Sequence, residues 1–475
     1  MKYEEHIRLF GIEIENELNV IWDTLVRFKE HKQQLNFDPK ELINFQVNLT
    51  KIQYKVTQKY FEFSHKRKGL EKEKKKLGHK KFNEERECIT KILKFLQHLL
   101  VIGKSFGDAF VYIFYSLDRE YLNQQLQSAP QSNLTLPRGI GGLGEFEFLK
   151  NVKTIDNHFI IYHGITDMLR IGDFTLFDLK NGKVAGVGEL KSDKFDESTL
   201  TMNLTVIGPK KRNNNFNNLK KSTFEINTEN RKLIDEERYK KQVDKMIKSF
   251  NCLKTERIND EKLKLLNTPK YNYIADLGQL PLENRFSYRQ INNAQLLCRF
   301  SYFGESLYDK FNCSEVDLSN CNFEQIVRDI IRPEIENSIL FGHIHHDKNG
   351  RIQQIAGTRP LFWEPIITEV LKKIYFGEIH FFTIYNPGNF FNEITKKGFK
   401  FEYSVKHKAY GLTKIEKEGV ATFISAVDYF LKLITNYLQD ESLIINSIES
   451  GYISVNDLAI KKGQSVRAEF NVVVN

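Results

Sequence analysis

Apolar residues recur at three- and four-residue intervals through IRLFGIEIENELNVIWDTLVRF (7–28) and again through ITKILKFLQHLLVIGKSFGDAFVYIFYSL (89–117). That spacing lays an apolar stripe along a helix and predicts two amphipathic helices. Between them the pattern gives way to charge: residues 51–100 hold 15 Lys/Arg against 6 Glu and no Asp. Gly69 and Gly78 are placed to break this stretch into a hairpin of two helices. One reading of it is a basic arm touching a phosphate backbone. The other is a solvated helical face neutralised by i,i+4 Glu–Lys pairs.

QLQSAPQSNLTLPRGIGG (125–142) is polar and rich in Pro and Gly, and reads as a linker. After it, β-rich runs such as NHFIIYHGITDML predict strands. Residues 209–231 form an Asn- and Lys-rich insertion, and ERYKKQVDKMIKSFN returns to a helical pattern. From 256 onward, strand-like runs (SILFGHIHH, EIHFFTIYN, FKFEYSV) alternate with helical ones (PIITEVLKKIYFG, TFISAVDYFLKLITNYL). The expected organisation is a multidomain α/β protein: a helical region with a basic segment (1–130), an α/β core (131–255) and a mixed α/β region of unassigned role (256–475).

Composition changes this picture in three respects. A 475-residue chain with 41% hydrophobic and 28% charged residues can bury more than one core. A formal charge of +9 favours an acidic partner, of which nucleic acid is the commonest. Cys88, Cys252, Cys298, Cys313 and Cys321 are odd in number and form no CxxC pair, the pattern of reduced thiols in a cytoplasmic protein. The N-terminus has no apolar signal core, and no run reaches the ~20 apolar residues of a membrane span.

Candidate chemistry concentrates in DFTLFDLKNGKVAGVGELKS (173–192), two apolar runs flanking Asn181-Gly182 with acids at both outer ends. A two-residue Asn-Gly loop pairs Lys180 with Lys183 and, counted outward, Asp173 with Leu190, which sends the acids to opposite faces. A three-residue loop, Lys180-Asn181-Gly182 with Gly182 left-handed, pairs Asp173 with Glu189 instead. The two carboxylates then stand roughly 5 Å apart across the ladder, with Lys191 on the same face. Carboxylates that close repel unless a proton or a cation intervenes, and a hard divalent ion takes oxygen ligands. The competing reading is a solvent-exposed hairpin end with an incidental Glu–Lys pair. Glu-x-Lys also occurs at Glu30 and Glu73, in charged helical surroundings, whereas Glu189-Leu190-Lys191 ends an apolar strand whose partner begins with an Asp.

The stretch GDFTLFDLKNGKVAGVGELKS resembles the core of the PD-(D/E)xK nuclease superfamily, the restriction-endonuclease-like fold. That core runs helix, three antiparallel strands, helix, strand. The resemblance implies hydrolysis of phosphodiester bonds with Mg²⁺ or Mn²⁺. Asp173, Glu189 and the carbonyl of Leu190 would hold the metal, and Lys191 would orient or activate water. An acid on the first helix, Glu145 or Glu147 in GGLGEFEFLKNV with Glu145 preferred, would bind a second ion or its water shell. Gln242 in YKKQVDKMIKSF matches a further glutamine found in many relatives. Gly172 stands where many relatives have proline, and the spacing from Lys191 to Gln242 is longer than usual. The superfamily's habits favour DNA over RNA, and a bacterial defence effector, acting as a homo-oligomer or with a partner protein, is a compatible setting. The alternatives are an RNase of the same core and a non-catalytic nucleic-acid-binding or assembly module that kept the fold.

Other features carry less. His343, His345 and His346, with Cys313 and Cys321 upstream, lack the tight spacing of a zinc site. GIGGLGE follows a linker instead of a strand, so its glycines suit entry into a helix better than a phosphate loop. TRPLFWEPI offers either a base-stacking surface or, the simpler reading, a packed aromatic corner.

Overall fold

The computed structural model describes residues 2–31, 38–115, 135–136, 140–194, 200–207, 270–312, 339–344, 360–405, 408–415 and 421–456, with isolated positions between them. The protein is mixed α/β and multidomain, with a helical N-terminal region. Two compact units divide it: Met1–Ile258 with Ser306–Asn312 and Ile355–Trp363, and Asn259–Glu305 with Cys313–Gln354 and Glu364–Asn475. The regions 1–130 and 131–255 therefore fall together in the first unit. Among the described residues no helix is long and apolar enough to cross a membrane.

Three long helices open the first unit: α1 (Lys2–His31), α2 (Pro39–Leu77) and α3 (His79–Tyr115). Asp38 starts α2 by accepting the Lys40 N–H at 2.9 Å, with Pro39 in the first turn, where its missing N–H costs nothing. Gly78, at φ +74°, ends the helix, while Gly69 stays inside it, so only one of the two expected breaks occurs. Leu361, Phe362 and Trp363 are buried, with the Trp363 indole N–H donating to the Ala109 carbonyl at 2.9 Å; these residues form a packed corner.

The helix α4 (Ile140–Asn151) leads into a five-stranded antiparallel sheet in sequence order: β1 (Thr154–Ile155), β2 (His158–Tyr162), β3 (Phe174–Asp178), β4 (Lys183–Lys194) and β5 (Leu200–Ile207). Alternation sorts the side chains between two faces. Ile160, Phe174, Leu176 and Leu190 pack against Phe148 of α4. On the other face Phe114 of α3 meets Phe159 and Phe177, and Ile171, Val187 and Ile207 surround Met246. Position 246 is helical, but β5 precedes it. The strand pairs antiparallel with the long outer half of β4, an added strand where the resemblance implies a helix.

A polar tie joins α2 to the sheet. β1 is two residues long and, among the described residues, leaves the outer half of β2 without a strand neighbour on that edge. The buried Gln46 side chain takes that place: its amide N–H₂ donates to the Ile160 carbonyl and its oxygen accepts the Tyr162 N–H, both at 2.9 Å. An amide thus mimics a strand's donor–acceptor pair and closes an otherwise open edge. Gln46→Leu is expected to lower unfolding free energy by roughly 2–4 kcal/mol, because two buried backbone groups lose their partners. Denaturant melts of the two proteins would measure it, and equal midpoints would show that water replaces the amide.

The second unit is built on a four-stranded antiparallel sheet of order β6 (Phe286–Asn292), β7 (Gln295–Ser301), β9 (Ile379–Tyr385), β8 (Leu340–His343). Leu296, Cys298, Phe382 and Ile384 form its core. A second antiparallel sheet comprises β10 (Lys400–Ser404), β11 (Ala409–Ile415) and β12 (Ala421–Ile424). His343 lies 2.9 Å from His380, ring nitrogen to ring nitrogen. His345, His346, Cys313 and Cys321 lie outside the described residues.

Candidate active site

The β3–β4 hairpin decides whether the acids meet. Asp178 pairs with Lys183, so the loop is the four residues Leu179–Gly182, not the expected three. Asp178 organises it, accepting the N–H groups of Lys180 at 3.0 Å and Asn181 at 3.1 Å, an aspartate-initiated turn. Gly182 takes a left-handed φ of +61°. That loop alone would leave the acids one residue out of step. A bulge corrects it: Leu176 pairs with Gly186 but Phe177 with Val184, which leaves Ala185 unpaired. Beyond the bulge Phe174 pairs with Gly188, the last pair of the ladder, and Asp173 stands just outside it, beside Gly188 and Glu189.

Backbone bonds hold Asp173 in that place. Its N–H donates to the Gly188 carbonyl at 2.8 Å, and its carbonyl accepts the His163 N–H at 2.9 Å. Gly172 before it has φ +75°, and a β-carbon there would stand 2.7 Å from the Gly188 oxygen. Proline, locked near φ −65°, cannot adopt that conformation. Departure from the proline of the resembled motif thus follows from the backbone turn that delivers Asp173. His163 braces the turn from inside: its ring nitrogens meet the Gly172 carbonyl at 3.0 Å and Thr175 Oγ1 at 2.8 Å, and the Tyr115 hydroxyl also donates to Thr175. Burial pushes the His163 imidazole down to about 4, so it stays neutral at ordinary pH.

The side chains converge. Asp173 Oδ2 accepts the Leu190 N–H at 2.6 Å. Glu189 is only 6% exposed and accepts from Lys191 Nζ at 2.5 Å, while Lys191 is 40% exposed and faces outward. From α4, Glu145 accepts a hydrogen bond from the buried Tyr162 hydroxyl. Burial, then the charges of Glu189 and Glu145, push the Asp173 carboxyl up to about 7. Glu145 is raised by burial and by Glu189, against the pull of Tyr162 and of Lys104. The three acids therefore share one field. Glu147 does not: it faces Lys150 and Asn151 on the outer side of the helix. Gln242 lies outside the described residues.

Two charged residues of α3, one helical turn apart, complete the surroundings. Lys104 is buried and donates to the Gly164 carbonyl; burial lowers its pKa, and Asp167, Asp108 and Glu145 work in the opposite sense. Asp108 Oδ1 accepts from the Thr166 hydroxyl and from the N–H groups of Asp167 at 2.7 Å and Met168 at 3.1 Å. The sequence carried a signal for both: charges i,i+4 inside the most apolar run of the chain. His163 and Gln46 had none.

Oxygen donors alone make up the acidic set: Asp173, Glu189, Glu145 and the Leu190 carbonyl beside them. Burial first, and then their mutual repulsion, raise the Asp173 carboxyl, and both suit a hard divalent cation. Among the described residues no three such side chains are closed around one point in ligating geometry. Each acid is instead held by its own donor: Leu190 N–H, Lys191 or Tyr162. Comparisons with protein-family models, with curated proteins and with solved structures gave no match.

Proposed function

We propose that the first unit is a metal-dependent nuclease with a PD-(D/E)xK-type, restriction-endonuclease-like site. One observation carries the reading: the bulge at Ala185 sets Phe174 opposite Gly188, so half-buried Asp173, which bonds the Gly188 carbonyl, buried Glu189 and Lys191 stand at one end of one hairpin. Asp173, Glu189 and the Leu190 carbonyl would hold Mg²⁺ or Mn²⁺, with Glu145 placed for a second ion or its water shell. The ion would supply charge neutralisation at the phosphate and a more acidic water. Lys191, the most exposed of the group, would hold a phosphate oxygen or orient the attacking water through its ammonium. Lys104 compensates Glu145 from the buried side. DNA is the proposed substrate and a defence effector the proposed setting.

Incubation with plasmid DNA and with structured RNA, in Mg²⁺ or in EDTA, tests this directly. Cleavage of DNA in Mg²⁺ alone is expected. Lys191→Ala should lower the rate by roughly 10²–10³-fold, the scale of a lost transition-state donor, with affinity little changed. Preference for RNA would reassign the substrate. Cleavage unaffected by EDTA or by Lys191→Ala would end the proposal. Binding without cleavage in every condition would leave a non-catalytic module.

A further inference from the structure

The α2–α3 hairpin is more than a scaffold for the sheet. Between Ser64 and Cys88 only Leu70 and Phe82 are buried, so this length of the two helices packs on itself and stands in solvent. Residues 66–81 carry nine Lys/Arg and two Glu. Lower on the hairpin the cations are neutralised: Lys55 by Glu13 and Glu17, and Lys59 and Lys66 by Glu62. Near the tip they are not. Lys68, Lys72, Lys75, Lys76, Lys80 and Lys81 are exposed and, among the described residues, have no carboxylate within ion-pair distance.

Helix stability accounts for only some of them. Lysines at 74–76 sit in the last turn of α2, where the helix dipole favours cations. Lys80 and Lys81 sit in the first turn of α3, which has no acid and where the same dipole disfavours them. The two groups also flank Gly78, and like charges so close along the chain repel. A cluster that costs free energy in the isolated protein is explained if a polyanion completes it.

We propose that the tip of this hairpin is a sequence-independent arm for the phosphate backbone of a nucleic-acid duplex. The inference rests on the nuclease reading for its biological sense, since it names how that substrate is gripped. α2 is one continuous helix from the Gln46 contact with the sheet and the Gln53 contact with the turn after β2 to the tip. At ~1.5 Å per residue, Lys72 lies about 30 Å along the axis from Gln53. That span corresponds to roughly nine base pairs of duplex, so arm and site engage one molecule at separated places.

Fluorescence anisotropy of the full chain with a duplex of about 30 base pairs, in EDTA across a salt series, tests binding without chemistry. Lys72→Glu, Lys75→Glu, Lys80→Glu and Lys81→Glu combined should leave the melting curve intact and weaken binding by about 10²-fold or more at low salt. The slope of log affinity against log salt should fall by about 3.6, roughly 0.9 for each of the four phosphates that the arm no longer neutralises. Duplex RNA in a second arm of the experiment distinguishes the two backbones. Wild-type affinity and slope in the variant, or preference of the hairpin tip for anionic vesicles over either duplex, would overturn the proposal. Failures separate cleanly. Binding lost in the variant while the wild type cleaves nothing in Mg²⁺ sinks the nuclease reading and keeps the arm; binding kept while Asp173→Asn abolishes cleavage sinks the arm alone.

Discussion

Asp173→Asn is expected to end metal-dependent cleavage and, in the absence of metal, to make the protein more stable. The first effect follows from removing a carboxylate from a set of oxygen donors, and a loss of roughly 10³-fold or more is expected. The second follows from linkage. Burial and two neighbouring acids raise the Asp173 carboxyl to about 7. Below about pH 4 it is protonated in both folded and unfolded chains. Between about 4 and 7 the unfolded chain releases the proton and the folded one keeps it, so wild-type stability falls as pH rises and levels off above 7. The accumulated cost is on the order of a few kcal/mol. Asparagine has no proton to lose, and its amide oxygen can still accept the Leu190 N–H. The difference in melting temperature between variant and wild type should therefore grow from pH 4 to 7 and then hold. Mg²⁺ at pH 8 should raise the wild type, by about 2.7 kcal/mol at a hundredfold excess over Kd, and leave the variant unmoved. Parallel pH curves, or equal Mg²⁺ shifts, would remove Asp173 from the metal site.

Asp108 should show the opposite sensitivity. A single oxygen, Oδ1, accepts all three hydrogen bonds from the turn at Thr166–Met168. Asp108→Ala strands a hydroxyl and two backbone N–H groups in a buried place and is expected to cost about 3–5 kcal/mol. Asp108→Asn keeps an oxygen in the same position and should be close to neutral, or stabilising near pH 8, because burial and Asp167 already raise this carboxyl to about 7. Chemical denaturation of both variants measures the contrast. The turn lies on the path from β2 to Gly172 and Asp173, so the alanine variant should lose cleavage along with stability. Equal destabilisation by Ala and Asn would show that the charge, not the acceptor, does the holding. Asp108 titrates alike in Asp173→Asn and wild type, so it cancels from the difference curve above.

The sequence by itself determined whatever depends on neighbours along the chain. Three- and four-residue spacing of apolar side chains set α1 and α3, because a helix brings i, i+3 and i+4 to one side whatever surrounds it. Asn181-Gly182 marked a turn and the acids marked the strand ends, because turn chemistry is likewise local. Register was not local. Loop length alone, read as three residues and found to be four, did not set the outer ladder; the unpaired Ala185 shifts it by one residue, so that Phe174 meets Gly188. A bulge is settled by packing on both faces of the sheet at once, and Phe114 and Met246 come from far along the chain. Choosing Glu145 over Glu147 likewise needed Tyr162 and Lys104 in place. Gln46 against β2 and His163 behind Gly172 carry no spacing signal, since the Tyr162 N–H and the Gly172 carbonyl they meet lie 116 and 9 residues away and are backbone groups of ordinary residues. Tertiary structure decided the site because its acids are tuned by groups that meet only when α2, α3 and the sheet close together.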